Sequence, residues 1–367
     1  MHYIGLLSGT SMDAVDGALI DFSDDLPVLV DYQQYPLDQK IRKELISLNK
    51  ISSIEIITRL DIALGNIFAE AALEIIKRNK IQKSKIVAVG SHGQTILHRP
   101  EPPHPTTLQI GDPNIIAHLT GISTVADFRR MDMAAGGQGA PLAPVFHQHM
   151  FRHKTEYRVV LNIGGMGNLT VLPAIESKKP VTGYDTGPGN VLLDIWINQN
   201  KNRNMDQDGA WAASGNIHEK LLTHFLEDSY FSRGAPKSTG RDYFNKDWLA
   251  TRLESFRHTV TAQDIQATLA ELTATTIANE IKKNAPDTTA LLVCGGGVHN
   301  QYLLKLLTKN LPGIEVVSTG NFGVNPDAVE AMTFALLAKY RLDKVPGNIP
   351  SVTGANREVI LGAVYQP

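Results

Sequence analysis

Apolar and polar positions along the chain fall into two kinds of block. Short aliphatic and β-branched runs predict strands: Tyr3–Leu7, Ala14–Phe22, Ile86–Val89, Ser123–Ala126, Arg158–Leu161, Leu169–Leu172 and Ala290–Cys294. Between them lie segments with a helical period. Over 54–79, Ile57, Leu60, Ala63, Leu64, Ile67, Ala71, Leu73 and Ile76 make one broad apolar face, with Arg59, Glu70 and Lys77 outside it. That spacing predicts a packing helix. Residues 38–50, Thr261–Asn284 and Pro326 to about Tyr340 carry the same period.

Glycine-rich polar turns join several strands, and the candidate chemistry sits in them. Tyr3–Leu7 and Ala14–Phe22 flank Ser8-Gly9-Thr10-Ser11-Met12-Asp13, a hairpin turn with backbone N–H groups, hydroxyls and one carboxylate. N–H groups and hydroxyls suit phosphate oxygens, and a carboxylate suits a hydrated magnesium ion. An ordinary hairpin favours the same residues. The pattern restarts at Arg158–Leu161, where Asn162-Ile163-Gly164-Gly165-Met166-Gly167-Asn168 leads into Leu169–Leu172. This weak internal repeat divides the chain into halves of similar size, and two such turns across a cleft would hold a polyphosphate from both sides.

Directly after the second hairpin comes Gly183-Tyr184-Asp185-Thr186-Gly187-Pro188-Gly189-Asn190, followed by the apolar segment Val191–Ile197. Two readings are open for this turn. It is a helix cap, or it presents Asp185 to a bound substrate with no bulky neighbour in the way.

Other polar stretches extend the inventory. Gly90-Ser91-His92-Gly93-Gln94-Thr95 stands just past a predicted buried strand, the usual site position in open α/β sheets. Gln94 and Thr95 are apt partners for sugar hydroxyls. His92 reads as a base or, preferred, as a structural and substrate-orienting group. Arg129 and Arg130 precede Met133–Pro141, whose Gly136, Gly137 and Gly139 suggest a mobile lid. The two arginines fit an anion clamp or a solvated pair. Lys237-Ser238-Thr239-Gly240-Arg241-Asp242 offers phosphate-friendly groups, with a solvated loop preferred. Gly295-Gly296-Gly297-Val298-His299-Asn300, between strand and helix, would let adenine or a phosphate lie against backbone. Asn300 stands where a dinucleotide fingerprint needs its third glycine, which disfavours dinucleotide binding. Glu330 is an acid in an otherwise apolar helix, whereas Asp327 fits ordinary first-turn chemistry.

Bulk properties narrow the class. With 367 residues two domains are expected, and the net charge of −2 suggests neither nucleic acid nor an anionic membrane as partner. Cys294 is the lone cysteine, so an internal disulfide and a multi-cysteine metal site are excluded. The N-terminus lacks signal-peptide character and no apolar run approaches membrane-spanning length, so a cytoplasmic protein is expected. There is no Gly-x-x-x-x-Gly-Lys-Ser/Thr loop and no Gly-x-Ser-x-Gly elbow. What remains suits phosphoryl transfer, which needs positioning, charge stabilisation and a base.

On these motifs the chain resembles the anhydro-N-acetylmuramic acid kinases of cell-wall recycling, within the sugar kinase, actin and heat-shock ATPase superfamily. The resemblance runs through Gly5–Asp13, Gly90–Thr95, Leu108–Gly111, Ala126–Arg130, Ala134–Pro141, Leu161–Gly165, Asp185–Asn190, Pro236–Arg241 and Cys294–Gly297, nearly the whole length. It implies an α/β fold of two actin-like, ribonuclease H-like domains flanking a nucleotide cleft. The domains would span 1–150 and 151–367, with the helix from about 326 packing back across the cleft. ATP and Mg2+ would be the cofactors.

Gly9, Thr10, Ser11, Met12, Asp13, Ala14, Val15 and Asp16 would form the first phosphate loop, with Asp13 toward the metal. Asn162, Gly164 and Gly165 would belong to the second, and Gly295, Gly296, Gly297 and Asn300 to the adenosine-side turn. Asp185 would be the base for a water that opens the 1,6-anhydro bridge as O6 is phosphorylated, giving N-acetylmuramic acid 6-phosphate. Gln94, Thr95, Arg130 and Glu330 would contact the sugar, Arg130 at its lactyl carboxylate, and the resemblance suggests a homodimer. Ala14 and Met131 depart from the family's usual glycine and arginine, and the second departure leaves Arg129 as an alternative to Arg130. Rival readings are a kinase of another amino sugar, or an actin-like switch ATPase that transfers nothing to a sugar.

Overall fold

A computed structural model of the chain describes residues 1–9, 12–48, 53–256 and 259–367. It divides into two compact units, Met1–Met150 with Ala328–Pro367, and Phe151–Asp327. The C-terminal residues expected in the second domain thus return to the first.

Among the described residues, the first unit holds one sheet of β1 (His2–Ser8), β2 (Ala14–Asp21), β3 (Val28–Pro36), β4 (Ile86–Arg99), β5 (Thr106–Ile110), β6 (Thr124–Ala126) and β12 (Ala363–Tyr365). β1, β2 and β3 form an antiparallel meander, β4 lies parallel to β1, and β6 lies parallel to β4. The second unit holds β7 (Arg158–Ile163), β8 (Met166–Leu172), β9 (Thr182–Pro188), β10 (Ala290–Cys294) and β11 (Glu315–Ser318). Again the first three strands form a meander, and β10 and β11 add in parallel beyond β7. The repeat glimpsed in the sequence is therefore the start of a five-strand order used twice. That order is the ribonuclease H-like pattern of actin-like proteins.

Alternation along β1 decides what covers each face. Ile4 and Leu6 point with Val15 and Leu19 into a core closed by Leu60, Leu64, Phe68 and Ile75 of the helix Ile54–Arg78. Ser53 caps that helix by accepting the Ile56 N–H. On the opposite face β1 and β4 carry Gly5 and Gly90, and the helix Val329–Leu342 lies directly on them. A Cβ at Gly5 would stand 1.8 Å from the Ala331 carbonyl oxygen, and one at Gly90 2.1 Å from that of Phe334. These glycines are required by close approach of a helix, not by a turn.

In the second unit, Val159, Leu161, Leu169 and Val171 pack with Leu193, Ile197, Ile265, Leu269, Leu272 and Ile277. The helix Ala262–Asn284 runs through this core and is buried around most of its circumference.

Three expectations change. β4 continues through Gly90–Thr95 to Arg99, because β1 pairs as far as Gln94 and β5 pairs with its far end. β9 runs through Asp185 to Pro188, because β8 offers it partners that glycine turns usually lack. The 133–141 segment is not a free lid. Asp132, fully buried, accepts the Gly139 N–H at 2.7 Å, the Asn348 amide at 2.7 Å and the Thr353 hydroxyl at 2.7 Å. The Gln138 N–H donates to the Thr353 carbonyl, so the loop is tied to the chain's last segment.

Candidate active site

In the second unit the candidate site is built around Asp185 on the edge strand β9, opposite Asn168 on β8. Asp185 caps nothing. Its Oδ2 accepts the Thr239 N–H at 2.9 Å, its own N–H donates to the Lys237 carbonyl at 2.9 Å, and its carbonyl accepts the Tyr230 hydroxyl at 2.9 Å. Oδ1 receives no hydrogen bond from the described residues. Burial pushes this carboxyl up to about 6 from an ordinary 3.8, with the Thr239 N–H pulling the other way. Such a group is mostly ionised at neutral pH yet still able to take a proton, the range that suits a general base.

The stretch after Asp185 turns back on the second hairpin. The N–H groups of Gly189, Asn190 and Val191 donate to carbonyls of Gly164 and Gly165. A Cβ at Gly189 would lie 2.6 Å from the Gly164 oxygen, so the helix Val191–Lys201 starts hard against that turn. Two of the N–H groups at its start, those of Asn190 and Val191, are consumed there.

Gly164 and Gly165 leave their other side lightly covered: among the described residues, the nearest atoms to a Cβ at Gly165 belong to the Arg241 guanidinium, at 3.5 Å, and a Cβ at Gly164 would meet the Met166 oxygen, at 3.8 Å. At the β10 end, Gly295 has φ +76 and abuts the Asn162 side chain, while Gly297 abuts Ile163. Gly296 has open space where a side chain would stand. Asn300 spends its side-chain oxygen on the Leu303 N–H, capping the next helix. Cys294 is buried.

In the loop read as solvated, 237–242, Ser238, Arg241 and Asp242 are exposed as expected, but Lys237 and Thr239 are not. Lys237 is buried, its ammonium 2.6 Å from Glu280, while Thr239 grips Asp185. The Thr239 hydroxyl oxygen is itself buried without a partner among the described residues.

In the first unit, Thr10 and Ser11 lie outside the described residues. Around them Gly9 and Met12 close a turn through the Met12 N–H and the Gly9 carbonyl, with Met12 at φ 52. Asp13 is exposed, and its carbonyl accepts the Leu37 N–H. Ala14 opens β2 half-buried. Val15 is fully buried in the core, which leaves only its backbone for a ligand. Asp16 is held by its neighbour strand, accepting from Tyr32 at 2.6 Å and Gln34 at 2.9 Å. Among the described residues no three acids, histidines or cysteines converge to hold a metal.

His92 resolves as a structural group. Arg129 donates through Nε to His92 Nε2 at 2.9 Å, so the other ring nitrogen, 3.0 Å from the Gly93 carbonyl, carries the proton. Burial, then the Arg129 charge, holds its pKa well below the usual value. Arg129 also donates to the Gly139 carbonyl. Arg130 instead is exposed, paired with Asp127 at 2.9 Å, and lines a cavity of about 50 Å3 with Ser91, His92, Asp127 and Tyr365. Gln94 is buried with its side-chain oxygen unpartnered among the described residues, and Thr95 accepts from Gln109. Glu330 is exposed on the first turn of its helix.

The doubled strand order defines an actin-like α/β protein, with a strand-borne carboxylate beside a lightly covered glycine turn in its second half. The family model for anhydro-N-acetylmuramic acid kinase matches residues 1–367, and the chain belongs to that family, a family of enzymes. A Coxiella burnetii (strain Dugway 5J108-111) protein of that name is 50% identical over 366 residues, 99% of this chain and 97% of its own. One from Shewanella denitrificans is 48% identical over 99% of this chain and 98% of its own. One from Aliivibrio fischeri is 46% identical with the same coverage. Among the described residues no helix is long and apolar enough to cross a membrane.

Proposed function

We propose that this chain uses ATP and water to convert 1,6-anhydro-N-acetylmuramic acid into N-acetylmuramic acid 6-phosphate, with Asp185 as the base. The observation that carries the reading is the Asp185 carboxylate, with one oxygen fixed by Thr239, the other left for a ligand, and its pKa raised to about 6. Asp185 takes a proton from water as that water bonds to C1 of the sugar. The C1–O6 bond breaks, O6 takes the phosphoryl group, and the bond between that phosphorus and ADP breaks. The base therefore serves water, and the sugar's own oxygen is the phosphoryl acceptor.

Gly9 to Asp16, Thr10 and Ser11 among them, form the first phosphate turn, and Asn162, Gly164 and Gly165 the second. The lightly covered outer side of Gly164 and Gly165 supports this assignment. Gly296 is the open member of the adenosine-side glycines, while Gly295, Gly297 and Asn300 shape that turn. Asp13 is the carboxylate toward Mg2+. A single exposed acid fits an ion held chiefly by waters and phosphate oxygens, which is how magnesium usually binds. When bound, the metal would offset phosphate charge.

Gln94, Thr95, Arg130 and Glu330 contact the sugar. Arg130 is favoured over Arg129 for the lactyl carboxylate, because Arg129 is committed to His92 and Gly139. The unpartnered Gln94 oxygen supports a hydroxyl contact. A cytoplasmic place in peptidoglycan recycling and a homodimer complete the proposal. The test is ADP release measured with and without the anhydro sugar. Strong dependence on sugar is expected, and equal rates would point instead to a switch ATPase.

A further inference from the structure

We propose that Lys237 is a positioning residue for Asp185, acting through the 237–239 segment with Glu280 and Tyr230 as its anchors. This rests on the reading of Asp185 as the base. The contacts form a closed ring. The Asp185 N–H donates to the Lys237 carbonyl at 2.9 Å. The Lys237 ammonium donates to Glu280 at 2.6 Å and to the Tyr230 carbonyl at 3.4 Å, and lies 4.8 Å from the Tyr230 ring centroid. The Tyr230 hydroxyl returns to the Asp185 carbonyl at 2.9 Å. Glu280 in turn accepts from Asn284 at 2.8 Å.

Both ionic partners are almost sealed from water, with side chains 3% and 7% exposed. A buried pair is a poor device for stability, because desolvation offsets most of the attraction. What it does provide is a fixed place for a long side chain that would otherwise sample many rotamers. Here that fixed side chain belongs to the residue whose carbonyl holds the Asp185 backbone, two positions before the N–H that holds its carboxylate. The ring leaves Asp185 little freedom to rotate away from the oxygen it must meet.

Tyr230, Lys237 and Glu280 are the ionisable groups of this ring, with Arg233 against the Tyr230 ring, and Tyr184, next to Asp185 in the chain, is pushed up to about 12 chiefly by burial. Burial, then the Asp185 and Glu280 charges, pushes the Tyr230 hydroxyl far up, so it remains a donor across the working pH range.

The test is a pH profile of kcat/KM for sugar-dependent ADP release in three variants of the full chain. Lys237→Met with Glu280→Gln removes both charges and leaves no orphaned ion. Turnover should fall at least about 10-fold, with the KM for sugar changed less than about 3-fold. The acid limb should move up by about one pH unit, because loosening the segment releases the Thr239 N–H that lowers the carboxyl. Lys237→Arg should recover part of the turnover and return the limb toward wild type. Tyr230→Phe, which keeps the ring, should show a smaller shift in the same direction, and reads out the ring even if the double variant does not fold. Wild-type turnover and an unmoved limb in Tyr230→Phe, or in the folded double variant, overturn the inference, whatever happens to the melting temperature. Asp185→Asn separates the two failures. If it abolishes turnover while the ring variants behave as wild type, only the positioning role falls. If Asp185→Asn turns over normally, the base reading falls too.

Discussion

Replacing Gly5 by alanine should dislodge the helix Val329–Leu342. The added methyl carbon would lie 1.8 Å from the Ala331 oxygen, 2.8 Å from its carbonyl carbon and 2.9 Å from the Ala335 nitrogen. All three are backbone atoms, so no side chain can swing aside. Carbon–oxygen contacts relax to about 3.3–3.6 Å, which requires a retreat of roughly 1.5 Å. The helix buries Ala331, Met332, Ala335, Leu336, Leu337 and Ala338. A gap of about 0.5–1 Å already forfeits a quarter to a half of a dispersion contact, so much of that face is weakened at once. Overpacking usually costs about 1–3 kcal/mol, and a backbone obstacle places this case near 3–5 kcal/mol. At about 2–4 °C per kcal/mol for a unit of this size, the melting temperature should drop by roughly 10 °C. Hydrogen exchange of the 329–342 amides should accelerate ahead of the second unit's. Gly234→Ala, where nothing among the described residues lies within 4 Å of the new carbon, is the control and should melt as wild type. A Gly5→Ala protein with wild-type melting and unchanged 329–342 protection would refute the packing described for this helix.

Three further outcomes are expected. The acid limb of kcat/KM for the wild type should fall near pH 6, since Asp185 must be ionised to accept a proton and burial raises it to about 6; a limb at the ordinary carboxylate value of about 4 would contradict the desolvated site. The same shift sets stability: with a folded value above the ordinary 3.8, the Asp185 contribution is fully present below about pH 4 and is lost as pH rises through about 6. Asp185→Asn removes that loss and should be more stable than wild type at pH 7, by up to about 3 kcal/mol, with no such gain near pH 3.5, as denaturant titrations at the two pH values would show. Arg129→Met strips a donor from His92 and from the Gly139 carbonyl and should cost about 2–3 kcal/mol of stability, whereas Arg130→Met should leave melting nearly unchanged and raise the sugar KM at least about 10-fold; the reverse pattern would exchange their roles.

Much of the fold was legible because its signals are local. The Ile54–Arg78 helix follows from its own period, and β7, β8 and β10 follow from dense aliphatic runs. The doubled hairpin hinted at the repeated sheet. What the sequence hid depends on distant partners. Gly90–Thr95 and Gly183–Pro188 look like turns by composition, yet both are strand because neighbouring strands supply hydrogen bonds that no local rule reveals. Residues 136–139 look mobile until Asp132 meets Asn348 and Thr353, more than two hundred positions later in the chain. Lys237 looked solvated because lysines usually are, and only Glu280 on a core helix explains its burial. Asp185 itself could be singled out from glycine, proline and one carboxylate. Its raised pKa could not, because desolvation is a property of the packed site.

The most direct test of that base is single-turnover kinetics of Asp185→Asn, with sugar binding followed separately by calorimetry. An asparagine keeps the shape and can still accept the Thr239 N–H, but it cannot take a proton from water. Turnover should fall at least about 100-fold at pH 7, within the usual range for losing a general base, while the sugar affinity stays within a few-fold of wild type. Near-normal turnover in that variant would contradict the assignment of Asp185 as the base.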